Sequence, residues 1–125
     1  MFHFQPFEPI MIVRTTGIVT TEEGKAVFHA TMEYLETTRV PHLYRIGDIS
    51  QLVMSDDDFE KAIHQAVVTF RNKGGATDPR IVPISVVGNA RSIAFVNEIQ
   101  RRCDMDYPVF YSMDAALSYV RKLLG

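Results

Sequence analysis

The chain has 125 residues, 46% of them hydrophobic and 22% charged, with a formal net charge of -2. That length and balance describe one ordinary globular domain spanning residues 1–125, with no cationic excess of the kind that nucleic acid requires. The single cysteine, Cys103, excludes an internal disulfide or a cysteine-built metal cage, the amino terminus lacks the pattern of a signal peptide, and no apolar run is long enough for a membrane span. A cytoplasmic protein without membrane insertion is therefore expected.

Phe2 and Phe4, extending to Phe7, alternate with polar residues as a first strand does, punctuated by Pro6 and Pro9. The β-branched run Ile10–Val19 follows as a second strand, paired antiparallel to the first through the turn around Glu8-Pro9. Thr20 or Thr21 then caps a helix with Glu22 and Glu23 in its first turn; Val27 or Phe28, Thr31 or Met32, and Leu35 form its apolar face, and Thr37–Pro41 breaks the pattern. A strand-like run ends at Asp48. From Ser55, the residues Phe59, Ala62 or Ile63, Ala66 or Val67, and Phe70 predict a helix ending near Lys73-Gly74-Gly75.

Arg80–Gly88 is nearly continuously apolar, as a strand covered on both faces should be, although Pro83 predicts a bulge or a later start. A helix is predicted from Arg91 to Arg102. The basic pairs Arg71 with Lys73 and Arg101 with Arg102 fall near helix ends, where cations favour the macrodipole. A short strand, Tyr107–Tyr111, precedes a last helix capped by Ser112 that buries Ala116, Leu117, Val120 and Leu124. The order β-β-α-β-α-β-α-β-α predicts an α/β fold: a largely parallel sheet of about five strands with an antiparallel amino-terminal edge strand and about four helices. Phe2, Phe4, Phe7 and Ile10 near that edge suggest apolar surface that a second copy would cover in a homodimer.

The carboxyl ends of strands and the amino ends of the following helices form the crevice where α/β proteins meet their ligands and partners. Here the crevice is lined by Asp48, Ser50 and the acidic start Ser55-Asp56-Asp57-Asp58, where a phosphate site would offer glycines and a lysine. Gly88-Asn89-Ala90-Arg91 opens a helix where backbone amides can hold an anion, yet the glycine patterns of dinucleotide and P-loop sites are absent, so a tight packing turn is the competing reading. His3, His29, His42 and His64 lie at no metal-ligand spacing, although His64 could face the crevice from the long helix. No nucleophile elbow or acid–base constellation is legible, and Cys103 near a helix carboxyl end reads as structural. No cofactor is expected.

Asp48 invites comparison with the phosphoacceptor of a receiver domain, but the acidic pair and lysine that hold and sense its phosphate are missing: those places read Gly17-Ile18-Val19-Thr20 and Phe110-Tyr111-Ser112. In contrast, the blocks Gly17-Ile18-Val19-Thr20, Gly47-Asp48-Ile49-Ser50, Ile84–Gly88, and Val109-Phe110 followed by Met113–Leu117, taken in order, resemble the SpoIIAA-like branch of the STAS superfamily over nearly the whole chain. That superfamily includes anti-sigma-factor antagonists and cytoplasmic domains of sulfate transporters. The resemblance implies a non-enzymatic module that regulates by binding a protein partner. In the antagonists a serine in Asp-Ser-Ser-Gly at the helix start is phosphorylated to break the partner complex, since a phosphate adds close to two negative charges.

This chain departs from the family there, with Asp57 or Asp58 at the serine position and Ser55 ahead of the acids. Ser55 then reads either as a plain N-cap beside acids that suit the helix amino end, or as a displaced phosphoacceptor next to a fixed negative edge that imitates the phosphorylated state. The expected contact surface comprises Asp48, Ser50, Ser55, Asp56 and Asp57. The alternative is a small-molecule or lipid-binding domain with its pocket between the sheet and the helices led by Ser55 and Arg91, lined by Gly88, Asn89 and Arg91.

Overall fold

The computed structural model describes residues 1–72 and 74–125; Lys73, half of one basic pair, lies outside them. The elements are β1 (Phe2–Phe4), β2 (Ile10–Arg14), α1 (Thr21–Thr38), β3 (Leu43–Asp48), α2 (Asp56–Phe70), β4 (Ile81–Val86), α3 (Ala90–Cys103), β5 (Val109–Phe110) and α4 (Met113–Leu124). The five strands form one sheet in the order β1-β2-β3-β4-β5, with β1 antiparallel to β2 and the other neighbours parallel. The α/β class and mixed sheet follow the expectation.

Because the parallel strands lie side by side in chain order, right-handed crossovers carry α1, α2 and α3 over the same face, leaving the other to α4. Alternation along the strands divides the core accordingly. Ile10, Ile12, Ile46, Ile84 and Val86 meet Ala116 and Val120 of α4, whereas Met11, Leu43 and Ile81 meet Leu35 of α1. Phe2 and Phe4 pack into the second cluster, with Phe4 stacked on Tyr34 at a centroid separation of 4.7 Å, and Ile10 is fully buried. The apolar surface expected at the edge is therefore mostly turned inward. Phe7, in the β1–β2 turn, is the one of the four whose ring stands fully exposed.

Several boundaries differ from the sequence expectation for identifiable reasons. β2 stops at Arg14, because its pairing with β3 ends where β3 does, at Asp48; Ile18 and Val19 belong to the loop into α1. β4 runs straight through Pro83, without the expected bulge or later start. Ser85 N donates to the carbonyl of Pro108 at 3.1 Å and Val87 N to that of Phe110 at 2.9 Å, so odd-numbered residues of β4 face β5. Pairing with β5 begins only at Ser85, so Pro83 points its missing donor to a side with no strand to receive it. Leu124, expected inside, is the last residue of α4 and exposed.

The loop after α2 is packed beneath α1 by charge and shape. Asp78, nearly buried, accepts from Gly74 N at 2.8 Å, Arg80 N at 2.9 Å, and the Arg80 guanidinium at 2.9 and 3.1 Å. The Arg80 hydrogen bonds hold its carboxyl well below the usual carboxylate range, against burial, which acts the other way. Arg45 of β3 reaches under α1 to donate to the Gly74 carbonyl at 2.9 Å, and its burial lowers its pKa to about 10 despite the charge of Asp78. Gly74 sits at φ 83°, and a Cβ there would come within 2.9 Å of Met32 Sδ, so another residue at this turn would be strained.

Candidate functional site

The carboxyl ends of β2, β3 and β4 are bound to one another by side chains that the crevice argument singles out. Asp48 Oδ1 accepts from Ser50 N at 3.1 Å and from Ser50 Oγ at 2.7 Å, making a turn that reverses the chain as it leaves β3. Its Oδ2 accepts from Arg14 Nε at 3.3 Å, an ion pair that joins the ends of β2 and β3. Thr15 N donates to the Asp48 carbonyl at 3.0 Å and Ile49 N to that of Val86 at 3.0 Å, so the ladder continues past the strands before the loops diverge. Both Asp48 and Ser50 are half-buried and engaged with their own chain.

Gly88 and Asn89 serve the same closure. A Cβ on Gly88 would lie 2.7 Å from the Ser50 carbonyl oxygen and 2.9 Å from Ser50 Cβ, so the loop leaving β3 occupies the space beside it. Asn89 is the N-cap of α3. Its Oδ1 accepts from Ser92 N at 2.8 Å, while its Nδ2 donates to the Leu52 carbonyl at 3.1 Å and ties the two loops together. Ser92 Oγ in turn accepts from Gly88 N and Asn89 N, each at 3.0 Å. The amides that would cradle an anion at this helix start are thus largely taken by the cap itself.

Ser55 is the N-cap of α2, its Oγ accepting from Asp58 N at 3.2 Å. Asp56, Asp57 and Asp58 form the first turn, where the partial positive charge of the helix end favours them. Asp56 pairs with Arg91 of α3, whose guanidinium also lies 4.7 Å from the centre of the Phe59 ring. Phe59 meets Phe95 edge-on at 6.0 Å. Further along the same seam, Arg102 donates to Glu60 at 2.8 Å and to Glu98 at 2.7 Å, and Glu98 also accepts from Arg101. These guanidiniums, Arg101 first, lower the Glu98 pKa to about 2. Arg91 therefore belongs to the α2–α3 seam, and Asp57 remains on the outer surface of α2.

The loops also present apolar side chains outward. Val53 N donates to the Thr16 carbonyl at 2.8 Å, setting the β3–α2 loop against the β2–α1 loop. Val53 is 77% exposed and Ile18, on the neighbouring loop, 49%. The sequence pattern places Ile18 within the second strand, and its exposure follows from the end of β2 at Arg14, whereas Val53 falls in no predicted element. His3, His29, His42 and His64 all lie on the surface. Two shallow surface depressions, of about 610 and 420 Å³, lie along α4 and α1 respectively and share no residue with the strand-end crevice. Comparison of the chain with protein-family models, with curated proteins and with solved structures finds no match.

Proposed function

We infer that this protein is a non-enzymatic regulatory module, similar to the anti-sigma-factor antagonists, that binds a protein partner through the strand-end edge around Ser55 and Asp57. The observation that carries the reading is the closure of the crevice: Asp48, Ser50, Gly88 and Asn89 are occupied with one another, through the Asp48–Ser50 bonds, the Gly88–Ser50 approach and the Asn89–Leu52 bond. What faces solvent there is a surface that carries the exposed residues Asp57, Ile18 and Val53. A surface of this kind suits contact with another macromolecule better than enclosure of a small ligand. In this reading Ser55 and the acids shape a permanently charged helix start, and no phosphate is required to supply the charge.

The test is affinity capture from cells with the wild-type chain, Asp57→Arg and, on the opposite face, Ser118→Arg. A protein retained by the wild type and by Ser118→Arg but lost with Asp57→Arg supports the reading. Equal retention by all three removes this edge from consideration.

A further inference from the structure

We propose that β1 pairs with β1 of a second copy, antiparallel about a two-fold axis at His3, joining two sheets into one of ten strands. This pairing does not rest on the partner-binding edge, since it concerns the outer side of β1 alone. Arg14 N donates to the Met1 carbonyl at 2.8 Å and Gln5 N to that of Ile10 at 2.9 Å, so residues 1, 3 and 5 turn their backbone groups toward β2. Phe2 and Phe4 consequently turn theirs out of the sheet edge, where they meet no partner among the described residues. By the same alternation the next outward donor would belong to residue 6, and that residue is Pro6.

Two outward donors, at Phe2 and Phe4, fix the register that satisfies them. A second copy laid antiparallel with Phe2 opposite its Phe4 uses both amides and both carbonyls of each chain, four bonds in all by this geometry. A pairing centred on Phe4 would also give four bonds, but two of them would end on the carbonyl of Pro6, which lies beyond β1 in the turn. In the complementary register His3 faces His3 of the other copy on the α4 side of the sheet, and the two phenylalanines of each chain continue the packing on the α1 side. Gln5 falls opposite Met1, bringing the β1–β2 turn of each chain toward the start of the other. Both places carry apolar side chains with no internal role: Met1 is 85% exposed, and Phe7 is fully exposed at φ 63°, a left-handed conformation that a phenylalanine adopts at a cost. A pairing this short falls below the roughly 1,200 Å² buried in stable complexes, so the dimer is weak and concentration-dependent.

His3→Cys in a Cys103→Ser chain tests the register directly. Facing residues of a non-hydrogen-bonded antiparallel pair have Cα atoms about 4.5 Å apart, inside the span of roughly 4.4–6.8 Å that a disulfide bridges. Mild oxidation is expected to give a covalent dimer much faster than the exposed control Ser118→Cys in the same background. Sedimentation of the wild type is expected to show a dimer growing with concentration, weakened about fivefold by His3→Glu, which sets like charges face to face without disturbing the monomer. A wild-type chain that remains monomeric at about 1 mM, or a dimer in which His3→Cys crosslinks no faster than the control, overturns the proposal.

Discussion

At Gly88 the missing side chain is occupied space. The backbone torsion there is open to any residue, so the requirement comes from the Ser50 carbonyl oxygen, 2.7 Å from where a Cβ would stand. Gly88→Ala is expected to force two loops apart and to cost about 1–3 kcal/mol of stability in urea unfolding, with Ser50→Ala unable to restore it because the nearest atom is backbone. The glycine was visible in the sequence as a turn between strand and helix, but its neighbour, 38 positions earlier, was not. Asp48 shows the same limit. Its turn with Ser50 is local and could be suspected from spacing, whereas its ion pair with Arg14 depends on the pairing of β2 with β3.

Among the elements, α2 is the least embedded helix, with Ile63 its one fully buried side chain and contacts to α3 made through Phe59 and the charged seam. Its start was legible because an N-cap followed by acids is a pattern of adjacent residues. Ser55→Ala is expected to destabilise the protein by about 1 kcal/mol, while Ser55→Asp, which retains an accepting oxygen, stays within a few tenths. Urea midpoints measured side by side decide this, and an unchanged midpoint for Ser55→Ala would mean that the first turn of α2 is held by the seam instead. The strands were legible as apolar runs, but their ends were not. β2 ends with its neighbour, and Pro83 fits a central strand only because β5 is two residues long.

Across the whole molecule, acid is the condition to which the fold should be most sensitive. Asp78, Glu98 and Glu8 are all held below the usual carboxylate range, each first by the hydrogen bonds of an arginine: Arg80, Arg101 and Arg121. A depressed carboxylate contributes stability above its unfolded pKa of about 4 and loses it as the pH falls through the folded value. Stability measured by urea unfolding is therefore expected to be flat above about pH 5 and to decline below about pH 4. Asp78→Asn should lose about 2 kcal/mol at neutral pH, because Gly74 N and Arg80 are left poorly served, and should show a shallower acid decline. Parallel slopes for the two proteins would remove Asp78 from the account.

α4 alone covers one side of the sheet, over Ile10, Ile12, Ile46, Ile84 and Val86. It is also the last element in chain order. During synthesis the strands that need it are complete while the helix is still inside the ribosome, so the nascent sheet emerges with an oily side uncovered. This architecture makes the emergence of α4 the step that commits the sheet to its native form, and the interval before it the one in which a chaperone has most to protect.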